Sequence, residues 1–211
     1  KLMLNTYSLQ EIYKIDNQDE YQKLKMAFNL VTQWNEIEAN RILVSIDYDS
    51  ISSAVNKQIY DITDLLIKKK NKRITEKEYF IKTEILIDFP NILNKRILNN
   101  VELSGLFALM IREIRNKETE ILNFLSNLVQ NDKTNTYWMT NEIKTGIYAN
   151  ITRRLYFLEE YENCLNLCED GLVSSNKTDR FIGLSNILAY KILSLNKLGR
   201  YDEAIDSAVR L

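Results

Sequence analysis

The chain has no histidine among its 211 residues. That removes the commonest general base and the commonest metal ligand. No glycine-rich phosphate loop, no Gly-x-Ser-x-Gly turn and no Cys/His cluster at metal spacing takes its place. The expectation is therefore a protein that is not an enzyme, with no catalytic residues, no metal and no cofactor. Proline occurs once and glycine five times, too sparingly for the turns of an all-β sandwich. No apolar run approaches the roughly 20 residues of a membrane span, so no membrane partner is expected. Two cysteines and no visible secretory leader point to a reducing, cytoplasmic setting. Neither sign of charge is in excess, with 28 Lys and Arg against 29 Asp and Glu, so no overall field draws the chain to nucleic acid.

What is present is helical and periodic. Hydrophobic residues make up 45% and charged residues 27%, ordinary values for a folded protein. Two stretches repeat, with Tyr161, Cys164, Leu165, Cys168 and Gly171 falling on Tyr201, Ala204, Ile205, Ala208 and Leu211 at an offset of 201 − 161 = 40. A fixed period of that size marks stacked helical hairpins. In the second copy Gly199 ends the first helix, Leu188, Ile192 and Leu195 form its apolar stripe, and Tyr201 is expected to plug the junction. Ala204 and Ala208 are small and share one face, which lets the second helix approach closely. In the first copy Glu159 stands where the turn glycine should be, and the small pair is Cys164 and Cys168. At i, i+4 in small-residue positions, those cysteines read as buried structural thiols. The pairs Glu159/Glu160 and Asp202/Glu203 begin second helices, where they complement the helix dipole.

The rest follows the same plan. Residues 1–16 read as a linker helix or a remnant of something upstream, and 17–211 as one repeat domain with its clearest repeats at 141–172 and 181–211. Helices are expected over Tyr21–Trp34, from Ile51 to Lys69 with Asp49 or Ser50 as cap, and after Thr75, which with Glu78 forms a capping box. That helix must stop near Pro90. An apolar helix over Leu103–Arg115 and another over Glu118–Gln130 follow. Subtracting 40 from the repeat positions gives Ile121, Phe124, Leu125 and Leu128, all apolar. Polar loops are expected at Asn131–Thr136 and Ser174–Asp179, and helices from Trp138 to Arg154 and from Phe181 to Lys197. The basic run Lys68–Arg73 reads as a solvated loop, with no aromatic interleaved to stack on bases.

The string Lys197-Leu-Gly-Arg-Tyr-Asp-Glu-Ala-Ile205 resembles the turn and second helix of a tetratricopeptide repeat. The expected fold is thus all-α, a right-handed α-solenoid of degenerate hairpins of that type. In such a hairpin the first helix lines the concave groove. The repeat frame points Arg153 and Tyr156 into it from one copy and Asn186 and Asn196 from the next, with Asn150 and Lys191 close by. One repeat upstream it points to Arg112, Glu113 and Asn116, within a residue of frame. An Asn amide can grip the main chain of an extended peptide, and an Arg can clamp a carboxylate, including a free C-terminus.

Thr75-Glu-Lys-Glu-Tyr-Phe, followed by Glu84 and Pro90, an apolar helix and degenerate repeats of about 40 residues, is similar to the RRNPP group of Gram-positive regulators (the Rgg, PlcR and MutR-like proteins). The resemblance implies a cytoplasmic regulatory domain that binds a short signalling peptide in its groove, shifts conformation and forms a homodimer. It implies contact with DNA only through a helix-turn-helix domain absent from this chain. A generic scaffold that docks a protein tail is the alternative reading. An enzyme of the phosphatase kind found in some sensors with such repeats stands last.

Overall fold

The computed structural model describes residues 18–116, 118–130, 139, 141–175 and 183–209. The expected segment 1–16, Asn17, the Asn131–Thr136 loop and Trp138 lie outside them. Among the described residues there are ten α-helices, two short 3-10 turns and no strand, as the scarcity of glycine and proline requires. No helix among them is long and apolar enough to cross a membrane. The chain divides into two compact units, Lys1–Leu109 and Met110–Leu211.

The first unit contains α1 (Gln18–Thr32), α2 (Glu36–Val44), α3 (Ala54–Lys70), α4 (Glu76–Leu86) and the start of α5 (Asn100–Asn116). Local chemistry sets these bounds. Asn35 caps α2. Ser53, rather than Asp49 or Ser50, caps α3, because Asp47 has already closed a separate 3-10 turn at Tyr48–Ser50. The Thr75/Glu78 box is formed, with Glu78 N donating to Thr75 Oγ1 at 3.2 Å and Thr75 N to Glu78 Oε2 at 2.7 Å. A second box, unread in the sequence, starts α5. There Glu102 N donates to Asn99 Oδ1 at 2.9 Å and Asn99 N to Glu102 Oε2 at 2.8 Å. The basic run sits at the C-terminus of α3, where cations complement the dipole. Lys68 pairs with Asp64. Lys69 lies 4.1 Å from the ring of Tyr79, a buried phenol whose pKa burial pushes up to about 12. Lys70 lies 3.9 Å from the Trp34 ring and pairs with Glu36. Three of the run's cations are thus used internally.

The second unit contains the rest of α5, then α6 (Glu120–Gln130), α7 (Asn141–Phe157), α8 (Tyr161–Ser175), α9 (Leu184–Lys197) and α10 (Tyr201–Val209). Each helix packs on the next from α6 to α10, and first helix α7 also packs on first helix α9. Helix α8 runs through Ser174 and Ser175, which are buried and not the start of a loop. The 40-residue period is exact in the first helices. Ile147 and Ile187, Tyr148 and Leu188, Arg154 and Ser194, and Leu155 and Leu195 are matched pairs, all buried. Glu159 adopts φ +63° where Gly199 has +75°, so the turn keeps its left-handed shape without its glycine. Cys164 and Cys168 are buried, with Sγ atoms 3.3 Å from Thr152 O and 3.5 Å from Ile187 O. Hydrogen bonding to Cys164 and burial push the Cys168 thiol up, away from thiolate.

Two expectations need correction. Tyr201 does not plug a junction: it is 64% exposed. Its counterpart Tyr161 meets Tyr156 in a tilted contact with ring centroids 5.7 Å apart, but the residue matching Tyr156 in the next copy is Asn196, which offers no ring. Ile205 and Ala208 are exposed as well, because no described helix covers the face of α10 that α9 covers on α8. Upstream the offset of 40 holds only in part. The buried residues of α6 are Ile121, Leu122, Leu125 and Val129, with Phe124 and Leu128 half-buried. The helix starts at Glu120 and Tyr161 differ by 161 − 120 = 41.

The turn between α5 and α6 is met by Arg154, which is 0% exposed. One of its terminal nitrogens, Nη2, donates to Glu113 O at 2.8 Å and to Glu118 O at 2.6 Å, satisfying carbonyls at the end of α5 and in the following turn. The Glu113 carboxylate accepts from Ile121 N at 2.7 Å and so caps α6. Burial raises its pKa, while the backbone N–H donors and Arg154 pull it down.

Two stability outcomes follow from these contacts. Arg154→Met removes the donor shared by Glu113 O and Glu118 O and the cation that favours the Glu113 carboxylate, and urea unfolding should show a loss of about 1–3 kcal/mol. Glu159→Gly relieves the left-handed strain, and the same measurement should show a gain of roughly 0.5–1 kcal/mol.

Candidate functional site on the first helices

A helix turns about 100° per residue, so positions spaced 4, 3 and 4 apart form one row. On α7 that row is Gly146, Asn150, Arg153 and Phe157. On α9 it is Asn186, Tyr190, Leu193 and Lys197, each 40 residues later. Both rows face solvent. Arg153, Asn186 and Lys197 are exposed, Gly146, Asn150 and Tyr190 are half-buried, and Phe157 and Leu193 are 50% and 41% exposed. Large apolar groups left open beside polar ones mark a binding surface more often than scattered surface residues do.

The rows are tied by an aromatic cluster. The Tyr190 ring of α9 lies 5.6 Å from Tyr156 and 6.3 Å from Phe157 of α7. Tyr156 also meets Phe157 at 5.6 Å and Tyr161 at 5.7 Å. Asn150 Nδ2 donates to Gly146 O at 2.9 Å. Arg153 has no hydrogen bond or ion pair among the described residues, whereas its neighbour Arg154 is buried and bonded to Glu113 O and Glu118 O.

Of the residues picked out in the sequence, Asn150, Arg153 and Asn186 lie on this face, Tyr156 joins it through Tyr190, and Asn196 is exposed one step off the row. Lys191 does not. It turns to the opposite side, where its Nζ lies 2.7 Å from Glu169 Oε1 of α8. There it lines a cleft of about 300 Å³ with Glu162, Arg200 and Glu203. Glu113 is buried and occupied with α6, so it is closed to a ligand. Arg112 is half-buried and Asn116 exposed, and Asn116 Nδ2 reaches Glu118 Oε1 at 3.5 Å. Phe157, Tyr190, Leu193 and Lys197 were missed. Applying the 40-residue offset to whole helical rows, rather than to single polar residues, would have found them.

Charge divides between the helices of this unit. Its first helices carry seven basic residues, Arg112 and Arg115 on α5, Lys144, Arg153 and Arg154 on α7, and Lys191 and Lys197 on α9, against two acidic ones. Its second helices carry seven acidic residues and no basic one. Arg153 and Lys197, the exposed cations of the two rows, therefore offer an anionic group a favourable setting.

No family model and no curated protein matches the chain. The structure is similar to the crystal structure of Bacillus thuringiensis PlcR in complex with the peptide PapR7 and DNA. The TM-score is 0.69 and the identity 13%, over 95% of this chain and 73% of that one. The all-helical repeat fold expected from the sequence, and its resemblance to the PlcR-like proteins, are borne out in that shared architecture.

Because the face is open, its polar residues should add little to stability. Arg153→Ala and Asn186→Ala should each move the urea midpoint by an amount equivalent to less than about 0.5 kcal/mol, in contrast to Arg154→Met.

Proposed function

We propose that this chain is the peptide-sensing region of a cytoplasmic transcription regulator. A short peptide lies across α7 and α9 of the second unit. The observation that carries this reading is the exposed face itself, where an aromatic cluster bridging two helices stands beside the unpaired Arg153. Apolar peptide side chains would rest on Phe157, Tyr190 and Leu193. A peptide carboxylate would meet the Arg153 guanidinium, which suits it in shape and charge. Asn150, Asn186 and Asn196 supply donors and acceptors for the peptide main chain, and Tyr156 backs the aromatic floor. Arg112 and Asn116 extend the same face on α5. The shared fold with PlcR, a protein solved with a peptide and DNA, supports the reading.

The mechanism is a shift in population. A ligand that touches both α7 and α9 favours the hairpin arrangement in which both contacts are made. In a stacked array a small rotation at one junction is passed along the length. The output would be felt by a homodimer and by a DNA-binding domain elsewhere in the regulator. A second reading, a scaffold for a partner protein, draws on the exposed apolar row Tyr201, Ile205 and Val209 of α10.

Isothermal titration against short apolar peptides with free carboxyl termini tests the choice. Micromolar or tighter binding, weakened at least tenfold in Arg153→Ala and in Asn186→Ala, is expected. Binding unaffected by both substitutions would move the site elsewhere, and no binding by any peptide would favour the scaffold.

A further inference from the structure

Four of the five glycines have a structural reason to be glycine. Gly183 and Gly199 have φ of +84° and +75°, a region other residues enter only under strain. A Cβ on Gly105 would lie 2.5 Å from Ile87 Cγ2, and one on Gly171 would lie 2.9 Å from both Ile187 Cδ1 and Tyr148 Cβ. Those two positions serve close packing. Gly146 has neither reason. It sits in the interior of α7, it is not among the residues with positive φ, and a Cβ there would meet no atom of the described residues within 4 Å. Glycine is one of the poorest helix formers, so the fold by itself would favour alanine.

Gly146 opens the row that continues through Asn150, Arg153 and Phe157. Close approach of another backbone is a recognised use of glycine. We propose that the bare helix surface at Gly146 is where the main chain of the peptide ligand comes to rest. The inference builds on the peptide-sensing reading above. Beside this spot Asn150 spends its amide N–H on Gly146 O, and its Oδ1 has no partner among the described residues. That oxygen is placed to accept an N–H from the ligand. Asn186, at the matching level of α9, faces it with donors and an acceptor. From Gly146 to Phe157 the row rises eleven residues, about 16 Å at roughly 1.5 Å each. An extended peptide advances about 3.3 Å per residue, so the row holds about five. The ligand is then an extended peptide of about that length. Its backbone lies on Gly146 and Asn150, a carboxylate meets Arg153, and an apolar side chain reaches Phe157.

The test compares the wild-type chain with Gly146→Ala and Gly146→Leu. Without ligand, Gly146→Ala should raise Tm by about 2–4 °C, because helix propensity improves and nothing is crowded. A fall in Tm would show that the fold itself needs the glycine and would overturn the proposal. With ligand, the probes are fluorescein-labelled synthetic pentapeptides, apolar with one aromatic residue and a free carboxyl terminus, read by fluorescence anisotropy. Gly146→Leu should bind at least tenfold more weakly than wild type, with Gly146→Ala between them. Equal binding by all three chains would overturn the proposal and leave peptide sensing intact. No binding by the wild-type chain would remove both.

Discussion

Arg154 carries a positive charge into a site with no access to water, where the end of α5, the following turn and α7 meet on one of its nitrogens. Burying a cation costs several kcal/mol unless it is paired and hydrogen-bonded. Here one guanidinium nitrogen reaches carbonyls at the end of α5 and in the following turn, 2.8 Å from Glu113 O and 2.6 Å from Glu118 O. The Glu113 side chain completes the exchange by capping α6. One buried guanidinium and one carboxylate therefore join the end of one helix, the start of the next and α7.

The clamp also decides what α7 shows to solvent. Successive helical residues point about 100° apart, so fixing Arg154 inward fixes Arg153 outward, with Asn150 and Phe157 in its row. The next copy keeps the buried position but fills it with Ser194, and its outward row changes from Asn, Arg, Phe to Tyr, Leu, Lys. A repeat can hold its inner face constant while its outer face varies. That division lets one architecture present a surface with apolar, aromatic and cationic parts in a set order.

Much of the fold was legible because helix ends and periods are local. The capping box at Thr75, the left-handed turn at Gly199 and the buried positions of α9 follow from residues a few places apart. The Asn99/Glu102 box was equally legible and went unread. What local pattern could not give was tertiary. Arg153 and Arg154 are identical neighbours, and only contacts 36 and 41 residues away distinguish the buried one from the free one. Tyr201 and Ile205 carry the pattern of packed residues, yet burial depends on a covering helix and not on the pattern. Glu113 looked like a surface acid because its partner, the start of α6, lies eight residues on, beyond the end of its own helix. Lys191 sat one step from the frame, and one step on a helix is enough to send a side chain to the other side.

The central claim is that the peptide sits on the first helices of the second unit and not on the acidic second helices. Site-specific photocrosslinking tests it directly. A benzophenone side chain would replace Leu193 on the proposed face and, in a separate protein, Val173 on α8, which is 59% exposed. The account predicts capture of a labelled short peptide at 193 and none at 173. Capture at 173 alone would contradict it and place recognition on the opposite side of the hairpins.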